Sequence, residues 1–301
     1  MSKFTIFSSF WLKILALLFM ALDHVGLAII SFFPYTRGIA EVSNVLRGFG
    51  RLAMPLFVFM IVEGVIHTKN IKKYLLRLGI MAAIISIFLI IITYVKFDFD
   101  TDLTVLTGAG NIFLDLLLIA VAIFLLKQEN NYLKLLILLP IGISFMSFFA
   151  KAYEFATGDA VLWYPNWLYL QYDWLSMLLG VGFYLSYKFS DLYIELTTAK
   201  NGMDKSVWEA NGNYRFLVNL VSILILIVVS VFYYLFRYIW PQGTFWDAGL
   251  QLLAVFSGAF ILLYNGKRGY NAKWFQYGSY LFYPVHLIII VGICILISGG
   301  L

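Results

Sequence analysis

Long apolar stretches constrain this chain more than any other feature of its sequence. A helix that crosses a bilayer needs about 20 predominantly apolar residues, and nine such stretches account for most of the 301 residues. Their approximate bounds are 11–33, 52–68, 74–95, 111–126, 132–150, 166–187, 215–236, 246–265 and 274–298. Only 12% of the residues are charged, against about a quarter in soluble domains. The sequence therefore predicts an all-α polytopic membrane protein with one transmembrane domain over 1–301, and it excludes a soluble enzyme.

The basic residues of the connections predict the orientation of the chain. Two connections are rich in basic side chains, namely 67–77 with Lys69, Lys72, Lys73 and Arg77, and 264–273 with Lys267, Arg268 and Lys273. Because cytoplasmic loops hold the excess of lysine and arginine, we expect a cytoplasmic N-terminus and an extracytoplasmic C-terminus in the plasma membrane. The acidic run 98–102 then lies outside, and the longest connection, 188–214, forms a cytoplasmic loop.

One connection does not follow this rule. Residues 34–51 are expected outside, yet they hold Arg37, Arg47 and Arg51 against a single Glu41. Arg47 and Arg51 are four residues apart, so they share a face if the stretch is helical. Three explanations stay open: a re-entrant pair of spans, anchoring at lipid headgroups, or binding of an anionic ligand.

Ionisable residues inside the predicted spans are the first candidates for function, because inserting each one costs roughly 2.5–3.5 kcal/mol. They are Asp23, His24, Glu63, His67, Asp115, Asp173 and His286. All three histidines of the chain belong to this set, and histidine is the side chain best suited to exchange a proton near neutral pH. A hydrogen bond between helices is the ordinary alternative for each of them.

His24 is the strongest candidate, since it lies in the middle of the first span beside Asp23. Neighbouring positions of a helix point about 100° apart, so Asp23 is not expected to orient His24. Their partners are expected across the bundle, with Glu63 as one candidate and Arg51 as the partner of Asp23. Glu63 and His67 are spaced to pair on one helix face, either as a structural clamp or as part of a site.

Spacing along the first span indicates a donor with a long arm. Lys13 precedes His24 by eleven residues, so the two lie on nearly the same face and about 16 Å apart along the axis. This matches the extended pantetheine arm of coenzyme A, which is on the order of 15–20 Å long; alternatively, Lys13 only sets topology. In the last span, Pro284 removes a backbone donor beside Tyr283 and His286, which indicates a pocket wall or simple core packing.

Several segments together resemble a known family. They are Leu12-Lys13-Ile14, Met20 to Gly26, Gly50 to Phe59, Val62-Glu63-Gly64, His67-Thr68, the basic run to Arg77-Leu78, and Tyr280 to Leu287. These segments resemble the TraX family of membrane acetyltransferases, whose founding activity is N-terminal acetylation of a conjugative pilin. The Lys13-x10-His24 spacing also resembles the basic-residue-x10-His motif of type-three membrane acyltransferases. The resemblance covers about the first hundred residues and the last thirty.

The resemblance implies transfer of an acyl group, most simply acetyl, from cytoplasmic acyl-CoA to an amine or hydroxyl acceptor at or outside the membrane. His24 is expected to act as general base, with Asp23 and Glu63 completing the catalytic set. The donor is expected to bind basic residues, namely Lys13, Lys72, Lys73 and Arg77. The acceptor, a protein N-terminus, a glycan or a lipid-linked group, is expected near Arg47, Arg51, His67, Tyr283 and His286.

Two other functions stay open. The first is a proton-coupled transporter that uses Asp23, His24, Glu63 and His286 as a relay, although the sequence shows no internal repeat of the kind common in transporters. The second is a non-catalytic partner in a secretion or envelope assembly. A histidine base predicts activity that falls below about pH 6.5, the unperturbed histidine pKa. Nucleic acid is not an expected partner. A metal is not expected either, because no two histidines have ligand spacing within one helix.

Overall fold

A computed structural model describes residues 6–94, 110–159, 161–201, 205–210, 212–239 and 248–298. Within these ranges the structure is all-helical, as predicted, apart from two isolated bridges, Phe7–Tyr264 and Asn111–Leu170. The helices are α1 (Ser9–Phe32), α2 (Arg37–Gly50), α3 (Ala53–His67), α4 (Ile71–Tyr94), α5 (Ile112–Leu126), α6 (Asn131–Leu135), α7 (Leu138–Thr157), α8 (Asp173–Asn201), α9 (Lys205–Ala210), α10 (Asn213–Ile239), α11 (Ala248–Leu252), α12 (Ser257–Leu262) and α13 (Lys273–Ser298). The acidic run 98–102 lies outside the described residues.

Six helical stretches of the described chain are long and apolar enough to cross a membrane. They are Ser9–Phe32, Arg37–His67, Ile71–Ile91, Asn131–Thr157, Asn213–Ile239 and Lys273–Ile297. Two shorter stretches, Ile112–Leu126 and Gly249–Leu262, are also apolar, whereas α8, which covers most of the predicted span 166–187, is not among the six. A multi-pass helical membrane protein is therefore confirmed, while the count of nine crossings and the orientation of the termini stay predictions.

The connection 34–51, predicted as a loop, is largely helical. Residues Arg37–Gly50 form α2, which packs along α1 and leads through a helical turn at Arg51 into α3. The stretch is too polar to look like a span, but its small residues Ser43, Gly48 and Gly50 form a buried face. Close packing depends on glycine, since a Cβ on Gly50 would overlap the Asp23 side chain. Small residues of this kind let membrane helices approach closely, and here they bring α2 against the middle of α1.

The cytoplasmic loop predicted over 188–214 is also largely helical. Helix α8 has 29 residues and ends at Asn201, so it is about 44 Å long, and the short α9 follows it. Its second half is rich in polar residues, which explains why the sequence looks like a loop. Ser190 and Ile194 are nevertheless buried, and their four-residue spacing continues the packed face of the helix.

A buried polar cluster fixes the irregular segment between α7 and α8. The Asp115 carboxylate accepts hydrogen bonds from the Gln171 backbone N–H at 2.6 Å and from the Ser176 hydroxyl at 2.6 Å. Lys151 of α7 forms an ion pair with Asp173, the first residue of α8. Asp115 and Asp173 were expected to mark function, but their contacts here satisfy backbone and side-chain groups that burial would otherwise leave unpaired. The cluster holds Gln171 at the wall of the site described next.

Candidate functional site

Two histidines from opposite ends of the sequence meet inside the bundle. His24 of α1 and His286 of α13 are each 6% exposed, and the Nδ1 atom of His24 lies 3.0 Å from Nε2 of His286. The ring centroids are 4.9 Å apart. Helix α13 packs against α1, so this contact pins the last helix to the middle of the first.

Backbone carbonyls assign the protonation of both rings. His24 Nδ1 lies 2.9 Å from the Met20 carbonyl oxygen, and His286 Nδ1 lies 2.7 Å from the Phe282 carbonyl oxygen. A carbonyl only accepts hydrogen bonds, so each Nδ1 donates and each neutral ring keeps its lone pair on Nε2. His286 Nε2 then accepts from His24, which leaves Nε2 of His24 as the basic nitrogen of the pair.

The neighbouring residue, Asp23, faces a different helix. Its carboxylate forms an ion pair with Arg51 at the junction of α2 and α3, and both residues are buried, with Arg51 only 1% exposed. Arg51 also donates to the Gln251 side chain of α11 at 3.5 Å. The predicted Asp23–Arg51 contact is therefore present, and Asp23 does not orient His24. Arg47, one turn earlier, packs its side chain against Gly26 of α1.

Aromatic rings form one wall of the site. The Tyr283 ring lies edge-on to His24 at a centroid distance of 6.0 Å and to Phe113 of α5 at 5.6 Å. The Tyr283 hydroxyl donates to the Gln171 side chain over a long 3.5 Å. Phe282 stacks on His286 with centroids 4.9 Å apart. Tyr283 thus lies where the sequence predicted it, beside His286 at the proline of α13.

The basic residues expected to bind the donor lie toward one end of the bundle, here called the Ser9 end because α1 begins there. Lys13 and His24 share the uninterrupted helix α1, which confirms the spacing on which the donor hypothesis depends. Arg77 of α4 is close enough to Lys13 to interact electrostatically, and Lys13 Nζ lies 5.6 Å from the centroid of Phe275. The other two, Lys72 and Lys73, are exposed.

Glu63 belongs to a second buried cluster rather than to the contacts of His24. Its carboxylate lies 2.7 Å from Nη1 of Arg215, an ion pair whose alignment falls short of a hydrogen bond, and accepts from the Tyr264 hydroxyl at 3.2 Å. Burial and the Glu63 charge raise the pKa of Tyr264, so the phenol stays protonated and donates. His67 lies 3.5 Å from Glu63, as predicted, but its side chain is 54% exposed.

Several site residues escaped the sequence analysis. Lys151 directly follows the predicted span 132–150 and Arg215 is the first residue of the span 215–236, so neither was considered a residue of the membrane interior, although both are largely buried. Gln171 and Gln251 are uncharged and gave no signal, yet each is 4% exposed and contacts the site. Among the described residues, no three His, Cys, Asp or Glu side chains group as metal ligands.

Comparison with known proteins gives the chain a context. The family model described as TraX protein matches residues 8–294. A probable fimbrial assembly protein of Dichelobacter nodosus, FimC of serogroup H1, is 32% identical over 150 residues, which is 50% of this chain and 58% of that protein. The match thus spans little more than half the length of this curated relative. No solved structure matches the chain.

Proposed function

Because this chain belongs to the TraX protein family, we propose that it is a membrane acyltransferase that moves an acyl group, expected to be acetyl, from acyl-CoA to an amine or hydroxyl acceptor. The observation that carries this proposal is the buried His24–His286 pair, in which carbonyl contacts leave a basic Nε2 on His24. The relative named as a fimbrial assembly protein favours a protein as the acceptor.

In the proposed reaction His24 acts as general base. The acceptor nitrogen or oxygen attacks the thioester carbonyl while His24 Nε2 takes its proton. The carbon–sulfur bond then breaks, the acyl group stays on the acceptor, and the proton passes from His24 to the leaving thiolate. While His24 is charged, its Nδ1–H donates to His286 Nε2, and a hydrogen bond to a charged donor is stronger than a neutral one.

The ion pair beside His24 has a positioning role in this scheme. Arg51 is held by Asp23 and Gln251, so it cannot swing freely toward a reacting carbonyl. It places a fixed positive charge next to the histidines, and a fixed charge or dipole in a water-poor site costs no reorganisation during reaction. Tyr283, whose hydroxyl makes only a long hydrogen bond, is the better candidate to donate to the developing oxyanion.

The donor would enter from the Ser9 end, which the basic connections predict to be cytoplasmic. Lys13 and Arg77 lie close together there, and two positive charges suit the phosphates of coenzyme A. Lys72 and Lys73, exposed on the same helix as Arg77, would add attraction at longer range. The roughly 16 Å between Lys13 and His24 along α1 leaves room for the pantetheine arm.

The test is release of coenzyme A thiol from acetyl-CoA by detergent-purified protein, with binding of acetyl-CoA measured separately. With water in place of the acceptor, the wild type is expected to bind acetyl-CoA and slowly hydrolyse it to acetate and free thiol, while His24→Ala binds but releases none. His67→Ala, which changes an exposed histidine, is the matched control. If the wild type neither binds nor cleaves acetyl-CoA or longer acyl-CoAs, the proposal is wrong and a proton-coupled transporter becomes the leading account.

A further inference from the structure

Arg237 is a buried cation that the proposed reaction does not use. It is 8% exposed and lies on the buried face of α10, one helical turn after Tyr233. Among the residues that the structure describes, its Nε and Nη1 atoms have no hydrogen-bond partner. Burying charged N–H donors without acceptors is costly, so these two unsatisfied nitrogens indicate a ligand that supplies the missing acceptors.

The position of Arg237 relates it to the site at His24. Tyr233 interacts electrostatically with Arg51, the partner of Asp23. Arg237 follows on the same face, about 6 Å farther along α10. It therefore lies within one turn of helix from groups that contact the catalytic region.

Helix directions place a second arginine on the same side. Helix α10 begins beside Glu63 and Tyr264, and Tyr264 contacts Ser9; α10 therefore runs from the Ser9 end toward Arg51. Helix α2 runs the opposite way, since Gly50 meets Asp23 while Ser43 meets Gly26. Arg47 and Arg237 consequently both lie beyond Arg51 as seen from the Ser9 end, opposite Lys13 and Arg77.

We propose that Arg237, together with Arg47, binds a carboxylate side chain of a peptide acceptor on the side of the site away from the donor. This inference rests on the proposed function, because only an acyltransferase would bind an acceptor peptide here. The charges favour it, because Asp23 is already paired with Arg51 and two nitrogens of Arg237 have no acceptor among the described residues. A guanidinium matches the planar, two-oxygen geometry of a carboxylate.

Distance limits where the acidic residue stands in the acceptor. One turn of α10 separates Arg237 from Tyr233, about 6 Å, and an extended peptide advances roughly 3.3–3.6 Å per residue. An aspartate at position two, three or four of a peptide lies about 3 to 11 Å along the chain from the N-terminal residue, and we expect one of these positions to reach Arg237 while the terminal amine is at His24. A peptide is preferred over a phospholipid headgroup because the fimbrial relative is named for assembling a protein structure.

The experiment measures binding of fluorescent five-residue peptides by anisotropy, with detergent-purified protein and no acyl-CoA. The peptides differ only by Asp or Asn at position two, three or four. The wild type is expected to bind one Asp peptide at least about tenfold more tightly than its Asn counterpart, and Arg237→Gln to reduce that ratio to about twofold or less. Arg37→Gln, at a 93% exposed side chain paired with Glu41, is the control and should keep the full preference.

Thermal unfolding separates a ligand-binding arginine from a structural one. If Arg237 has no partner in the protein, Arg237→Gln keeps or raises Tm without peptide; a lower Tm contradicts the proposal. An equal affinity for Asp and Asn peptides in the wild type, or a preference that survives in Arg237→Gln, also overturns it. A comparison of lipids provides a further test. If the wild type keeps the Asp preference in phosphatidylcholine nanodiscs but loses it in phosphatidylglycerol nanodiscs, while Arg237→Gln behaves alike in both, a lipid headgroup occupies the site and the proposal is overturned.

Failure of this inference is distinguishable from failure of the proposed function. Peptide binding needs neither acetyl-CoA nor His24, so His24→Ala should keep the Asp preference. Thiol release from acetyl-CoA without peptide needs neither Arg237 nor an acidic residue. If the protein releases thiol but does not prefer Asp peptides, the acyltransferase proposal stands and the acceptor-site proposal is wrong. If it prefers Asp peptides but releases no thiol, Arg237 binds an anion and the acyltransferase proposal is wrong.

Discussion

Two buried clusters in this bundle have nearly the same parts and different arrangements. One joins the Asp23–Arg51 pair to His24 and Tyr283, and the other joins the Glu63–Arg215 pair to His67 and Tyr264. In the first, His24 is buried against a second histidine. In the second, the histidine side chain is 54% exposed, and the arginine is packed among aromatic rings, with its guanidinium carbon 4.5 Å from the Tyr264 ring centroid.

Under the proposed function, a buried ion pair alone does not distinguish the reactive cluster from the structural one. In the Glu63 cluster, Arg215 also donates to the Tyr187 hydroxyl at 2.7 Å and to Asn219 at 2.8 Å, so the cluster ties helix ends together at the Ser9 end. In the His24 cluster, the carbonyl contacts leave a basic nitrogen available. The first arrangement suits proton transfer and the second suits structural cross-linking.

The largest expected effect comes from removing the base. Per folded molecule, His24→Ala should lower thiol release by about 100- to 10,000-fold, the range of general base catalysis. It should also lower Tm, because it removes the contact with His286 and leaves a cavity. Since a protonated imidazole has no lone pair, the wild-type rate should also fall as the pH is lowered. Thiol release measured across pH for wild type and variant checks both. If His24→Ala released thiol at the wild-type rate, the His24 cluster would be no more reactive than the Glu63 cluster.

Breaking each ion pair comes next. Arg51→Gln and Arg215→Gln each leave a buried carboxylate without its partner, so each should destabilise the protein by about 3–5 kcal/mol, measured by denaturant unfolding in detergent. Per folded molecule, Arg51→Gln should lose at least about tenfold in thiol release because the fixed positive charge that would offset the developing oxyanion is gone, while Arg215→Gln keeps its activity. Equal losses of activity in the two variants would show that both clusters belong to one site.

The remaining histidines provide a smaller contrast. His286→Phe removes the acceptor for His24 Nδ1–H, and a hydrogen bond to a charged group contributes about 1.5–3 kcal/mol, so thiol release should fall about 10- to 100-fold. His67→Phe should stay within about twofold, since its side chain is largely exposed and a surface pair contributes little. If His67→Phe proves the more damaging change, Glu63 regains the catalytic role and His67 the acceptor-binding role that the sequence predicted.

The two tyrosines give effects of different kinds. Tyr283→Phe should slow thiol release about 10- to 100-fold, because its proposed hydrogen bond is to a charged oxyanion, with Tm unchanged. Tyr264→Phe should leave the rate unchanged and lower the free energy of unfolding by about 1.5–3 kcal/mol, because its hydroxyl donates to a carboxylate. Parallel rate and unfolding measurements on both variants decide this, and an exchange of the two results would reverse the assignment of the clusters.

The sequence predicted the individual residues of the site better than their grouping. His24, Asp23, Arg51, Tyr283 and His286 were all candidates, and the structure brings them together. Glu63 was a candidate partner of His24 and is instead bound to Arg215. A single sequence reports which side chains are costly in a membrane, but not which of several equally suitable partners each one meets.

The sequence by itself determined the all-α membrane class, the spacing of Lys13 and His24 on one helix, and the candidate ionisable residues, because hydropathy and helical periodicity are local properties. Only the tertiary structure decided that 37–50 is a helix against α1, that His24 faces His286, and that Nε and Nη1 of Arg237 are buried without an acceptor among the described residues. These outcomes depend on contacts between residues far apart in the chain. Small residues such as Gly50 permit those contacts, and no local pattern specifies which helix will use them.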